Sequence, residues 1–90
     1  MCIKPKDFNS YFSNLPIGAV HYAIYFSGTY IRQLTDISPG QLMFSNLSSK
    51  NVTASYYIDH QKRIHCQASE VHHLGNSLKE AMHNYPHLFI

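Results

Sequence analysis

The sequence predicts an α+β domain: a short N-terminal helix, about five mostly antiparallel strands, and a C-terminal helix packed on one sheet face. Three observations carry that reading. Residues 1–90 fit a single domain, since domains commonly run about 50–250 residues. A period-two alternation of apolar and polar side chains holds through the middle of the chain, while both ends keep helical spacing. Hydrophobic residues make up 44% and aromatics 13%, which supplies a compact core and argues against disorder.

Phe8, Tyr11, Phe12 and Leu15 stand at i, i+3, i+4 and i+7, one apolar helix face. Asp7 is placed to cap that helix, and Pro16 and Gly18 to end it. Val20, Tyr22, Ile24 and Phe26 then alternate with His21, Ala23 and Tyr25, a strand rich in β-formers. Ser27-Gly28 offers a tight turn, and residues 29–34 read as the return strand. Ser38-Pro39-Gly40 is a second turn before a short third strand at residues 41–45.

Residues 45–51 form a polar run that reads as a loop. Val52, Ala54, Tyr56 and Ile58 alternate with Thr53, Ser55, Tyr57 and Asp59, the pattern of a half-buried strand. A polar link at residues 60–62 lets 63–68 pair back, with Ile64, Cys66 and Ala68 on one face and Arg63, His65 and Gln67 on the other. Ser69 followed by Glu70 suits a helix start. Val71, Leu74, Leu78, Ala81, Met82 and Tyr85 keep helical spacing from there to Pro86. Gly75 would weaken that helix by about 1 kcal/mol, so a kink is expected there. Ser77-Leu78-Lys79-Glu80 fits a capping box from which a second helix restarts. Residues 87–90 form an apolar tail expected to dock on the body.

Charged residues are scarce at 13%, against about 25% in soluble domains. Seven histidines partly fill the gap, and six of them fall between His60 and His87. A net charge of +2 gives little pull towards nucleic acid or anionic membranes. No stretch approaches the roughly 20 apolar residues of a membrane span, and residues 8–15 are too polar for a signal sequence core. Cys2 and Cys66 are too few for a disulfide scaffold, so a reducing cytoplasm is the expected home. Without a secretory signal, Asn46-Leu47-Ser48 and Asn51-Val52-Thr53 carry no weight as glycosylation sites.

The string His21-Tyr22-Ala23-Ile24-Tyr25, followed by a glycine-containing turn, Tyr30 and Gln33, is similar to the histidine strand and hairpin of lecithin:retinol acyltransferase-like thiol hydrolases. The resemblance spans residues 21–34. It implies His21 as general base, with Gln33 where the family has a second histidine able to orient the ring. The family's nucleophile lies at a helix N-terminus, which in chain order points to Cys66, although the family's Asn-Cys-Glu-His-Phe context is missing.

Other chemistry is weaker on spacing. His60, His65, Cys66, His72 and His73 offer metal-ligand types, yet without a Cys-x-x-Cys or a His-x-x-x-His in one helix, so no metal and no cofactor is expected. His72, Asn76, Lys79 and His83 fall instead on one polar helix stripe. Lys62 and Arg63 beside His60, His65, Tyr56 and Tyr57 interleave base with aromatic, but the basic residues are too scattered for a nucleic-acid groove. The composition suits a small protein-binding or inhibitory module, rich in Tyr and poor in charge, as a phage or mobile-element protein that occludes a partner would be. On that reading Tyr56, Tyr57, Lys62, Arg63 and His65 form the docking surface, the partner is an unidentified protein, and self-association into a homodimer is compatible. The alternative is a minimal thiol hydrolase or acyltransferase using Cys66, His21 and Gln33.

Overall fold

The computed structural model describes residues 2–48 and 52–89. Its frame is one curled antiparallel sheet of seven strands: β1 (Cys2–Ile3), β2 (Val20–Tyr25), β3 (Gly28–Ser38), β4 (Gln41–Asn46), β5 (Thr53–Ile58), β6 (Ile64–His65) and β7 (Glu70–Gly75). Spatially they run β1-β7-β2-β3-β4-β5-β6. Helix α1 (Phe8–Ser13) follows a 3-10 turn at Pro5–Asp7, and α2 (Leu78–Asn84) precedes a 3-10 turn at Pro86–Phe89. No helix among the described residues is long and apolar enough to cross a membrane.

The α+β class and the antiparallel pairing agree with the sequence reading, and each of the five expected strands is present. Two strands were not expected. Residues 70–75 are β7, paired with β1 on one side and β2 on the other, rather than the first part of a helix. The physical reason lies in which faces are covered. Val71 packs into the core beneath α1, while Leu74 packs on the opposite face beneath α2. A strand covered on both faces loses its alternation, and apolar residues three apart then imitate a helix. His72 and His73 consequently project to opposite faces, so the histidine stripe expected on a helix does not exist.

Gly75 makes no kink. It closes β7, where a Cβ would meet the backbone N of Ala81 at 2.8 Å, so it lets α2 sit directly on the sheet. The expected restart at Ser77 is present: its hydroxyl accepts from the Glu80 backbone N at 3.1 Å, and the Glu80 carboxylate accepts from Asn76 N at 2.7 Å. Asp7 provides no side-chain cap, because the preceding 3-10 turn runs straight into α1. In the run at 45–51, Ser45 and Asn46 belong to β4, while Ser49, Lys50 and Asn51 lie outside the described residues, as does Ile90 of the tail.

The core has two parts. Beneath α1, in the concave side of the sheet, Phe12, Ala23, Leu34, Phe44, Tyr56 and Val71 are buried together. On the other side, α2 and the last turn cover Val20 and Leu74 with Ala81, Leu78 and Leu88. Strand β2 serves both, sending Val20 and Tyr22 one way and His21, Ala23 and Tyr25 the other.

Candidate binding site

Inside the concave face, three polar side chains form a row across neighbouring strands. His21 of β2 is paired with Arg32 of β3, and Arg32 with Asn46 of β4, so all three point inwards at the same level. All three are buried. An apolar pocket tolerates such groups only when they satisfy one another.

Arg32 is the centre of that row. Its Nε donates to Asn46 Oδ1 at 2.7 Å, and its Nη1 donates to the hydroxyls of Tyr25 and Tyr56, both at 2.8 Å. The rings of Tyr25, Tyr30 and Tyr56 surround the guanidinium carbon at 5.0, 5.0 and 5.6 Å from their centroids. Arg32 is 8% exposed, yet among the described residues no carboxylate pairs with it. Among the described residues, His21 Nδ1 is the one buried side-chain polar atom without a partner, and no acceptor meets the guanidinium's remaining nitrogen, Nη2. Arg32 lines a surface pocket of about 360 Å³ together with Tyr25, Tyr56, Tyr57, His65 and Cys66.

Hydrogen-bond accounting fixes the direction of the network. Tyr25 donates to Tyr56 Oη at 3.1 Å, and Arg32 donates to the same oxygen. Both acceptor positions of Tyr56 are then filled, so its own proton goes to His21 Nε2 at 3.3 Å. His21 is therefore neutral, with its proton on Nδ1. The imidazole lies among aromatic rings, with Phe12 and Phe44 edge-to-face at 5.6 and 5.1 Å between centroids. Burial, with the Arg32 charge and His73 beside it, pushes the imidazole pKa down to about 3. Burial likewise raises the Tyr56 and Tyr25 phenols.

Cys66 packs against the inner core, as alternation predicts, and its sulfur lies 3.7 Å from Tyr25 Oη. Its polar neighbour is thus a tyrosine, and two phenols separate it from His21. It lies in the link between β6 and β7, and not at a helix start. Gln33 does not orient His21. It is paired with Val20, faces away from the row, and donates to Gly18 O at 3.1 Å. The residues expected to act as base, orienter and nucleophile therefore form no triad.

The expected docking residues divide. Tyr56 belongs to the buried network, because its strand alternation turns it inwards. Tyr57 is 56% exposed and lies against His65 across the β5–β6 pair, ring centroids 5.4 Å apart. Asp59 organises the hairpin between them. Its Oδ1 accepts from Gln61 N and Arg63 N at 2.8 and 2.9 Å, and its Oδ2 meets His65 Nε2 at 2.9 Å. The His65 contact and those backbone donors lower the Asp59 pKa. Lys62 takes a left-handed backbone at φ 65°, and both Lys62 and Arg63 are exposed. Tyr57, Lys62, Arg63 and His65 thus share one hairpin at the mouth of the Arg32 pocket or beside it.

Sequence reasoning missed Arg32 and the roles of Tyr25 and Tyr30. The signal was available in the alternation of β3, where Tyr30, Arg32 and Leu34 fall on one face and Leu34 marks that face as inward. A charged residue at an inward strand position is unusual enough to single out a site.

No family model, curated protein or solved structure matches this chain.

Proposed function

We propose that this chain is a small protein-binding module that docks through the β5–β6 hairpin and the pocket beside it, taking a carboxylate of its partner onto Arg32. One observation carries the reading: a buried guanidinium caged by three tyrosines and lining a surface pocket, with no carboxylate of its own and no acceptor on Nη2 among the described residues. Charge-assisted pairing is strongest where water is excluded, and a planar guanidinium suits a carboxylate. Tyr57 and His65 at the rim supply the amphipathic contact area common at interfaces. A partner whose working surface this chain covers in this way would be inhibited, and a second copy of this chain is one partner the same chemistry admits.

The test is a titration of short acidic peptides followed by backbone and Arg Nε NMR signals. Peptides with a free carboxylate should move Arg32, Tyr57 and His65 resonances, and amidated, neutral versions should not. Arg32→Lys keeps charge but loses the fork, so it should weaken binding at least tenfold. Equal shifts with amidated peptide, or shifts confined to other surfaces, would overturn the proposal.

The second reading is a thiol hydrolase or acyltransferase, and the relay from Cys66 through Tyr25 and Tyr56 to His21 Nε2 is what favours it. Against it stands the basicity of His21. An imidazole held near 3 cannot keep a thiol proton at neutral pH. Alkylation of Cys66 separates the two readings: a thiol hydrolase requires a fast reaction at pH 7 that slows in His21→Gln.

A further inference from the structure

On the convex side of the sheet, away from the Arg32 pocket, β1 and β7 bring three different metal-ligand types together. Cys2 is the direct cross-strand partner of His72, and Glu70 stands two residues before His72 on the same strand. Register alone therefore sends all three side chains from one face. The Cys2 thiol donates to Glu70 Oε2 at 2.6 Å, His72 Nε2 lies 3.5 Å from the same oxygen, and the three donor atoms all fall within 4.8 Å of one another. It is the one such group of three among the described residues. Neighbouring ligand atoms around a tetrahedral zinc are about 3.3–3.8 Å apart, given bonds of roughly 2.0–2.3 Å. Small side-chain rotations would bring this cluster to that spacing.

We infer that Cys2, Glu70 and His72 form a divalent transition-metal site, with zinc as the ion the donor set favours. Thiolate, imidazole and carboxylate together suit zinc and disfavour magnesium or calcium, which take oxygen ligands. Two further features fit. The His72 ring lies on the Tyr22 ring at 4.9 Å, which restrains the imidazole plane as neighbouring groups do in metal sites. The cation is also anticipated electrostatically, because Lys4 Nζ already sits 3.2 Å from Glu70 Oε2 in the position a metal would contest. Binding exchanges one positive charge for another. The thiol proton, now shared with Glu70, leaves to solvent as the sulfur–metal bond forms, and Lys4 releases the carboxylate. Three protein ligands leave a fourth position open for water or for a donor of another molecule.

Spacing along the sequence could not show this site, since Cys2 and Glu70 are 68 residues apart and only the β1–β7 pairing joins them.

The experiment uses the full chain purified without an affinity tag, reduced and freed of metal, then titrated with cobalt(II) and zinc(II). Cobalt should give a thiolate charge-transfer band in the near ultraviolet with visible bands of four-coordination, at one ion per chain, and zinc should displace it. Cys2→Ser should abolish the charge-transfer band, His72→Ala should weaken binding at least tenfold, and Lys4→Met should tighten it. His83→Ala, which removes a histidine that does not belong to the cluster, should change nothing. Because Cys2 and Lys4 are exposed, these variants should keep the parent circular dichroism. Cobalt spectra without the thiolate band, or zinc affinity unchanged in both Cys2→Ser and His72→Ala, would overturn the site and leave ordinary histidine binding as the explanation.

Discussion

The two faces of β2 are packed by opposite strategies. Towards α2, Val20 and Tyr22 meet Leu74, Leu78, Ala81 and Leu88, a layer held by apolar burial. Towards α1, His21 and Tyr25 join Arg32, Asn46 and Tyr56 in a hydrogen-bonded row set among Phe12, Phe44 and Leu34. The first layer asks only for volume and can be repacked. The second requires each donor and acceptor to be matched, and a single loss strands its neighbours. A chain short of charge has thus placed one of its few cations in its interior, where satisfying it consumes three tyrosines. That arrangement has little value for stability compared with an apolar filling, which is why it reads as a site.

Substitutions can break this contrast in graded steps, measured as urea unfolding midpoints. Phe44→Ala removes a fully buried ring that touches both Phe12 and Tyr56, and should cost about 3–5 kcal/mol. Arg32→Met keeps volume but leaves Asn46 and two phenols without their donor, so about 2–4 kcal/mol is expected. Combined with Tyr25→Phe, that loss should be less than additive, because both changes break one network. Strong additivity would show the polar row to be a set of independent contacts.

The pH dependence sharpens the same contrast. His21 is neutral in the folded chain with a pKa near 3, whereas an exposed imidazole titrates near 6.5. Below 6.5 the unfolded chain takes up the proton and the folded chain does not, so stability falls as pH drops through that window. The slope approaches about 1.4 kcal/mol per pH unit for this one group. His21→Phe should flatten it between pH 6 and 4, and an unchanged slope would assign the acid sensitivity elsewhere. The smallest effect belongs to the α2 side: Ser77→Ala deletes the cap on the Glu80 N–H and should cost about 1 kcal/mol, independent of pH in this range.

What was legible in the sequence follows from how each segment is covered. Strands with one face in the core, such as β4 and β5, alternate and declare themselves, and the Ser77 cap is local chemistry that two residues express. β7 was illegible because both its faces are buried, and β1 because a two-residue strand carries no period at all. The buried network was half legible: His21 was singled out, but as a catalytic base and not as a member of a buried polar row. Its partners come from β3, β4 and β5, and only pairing register shows that they share one level. Likewise the metal-ligand cluster unites the second residue with the seventieth, which no local window contains.

The strand order has a temporal consequence. β7 lies between β1 and β2, so the first strand of the chain has no neighbour until residues 70–75 arrive. During synthesis β2 to β6 can zip as successive hairpins, each closing over a short interval. The first strand must wait. Its capture together with β7 is a loop closure spanning nearly the whole chain, the slow kind of event in folding. Until then Phe8 and Phe12 have no Val71 to pack against and α1 has no complete bed. The sheet is therefore expected to close late, when β7 slots between the first two strands.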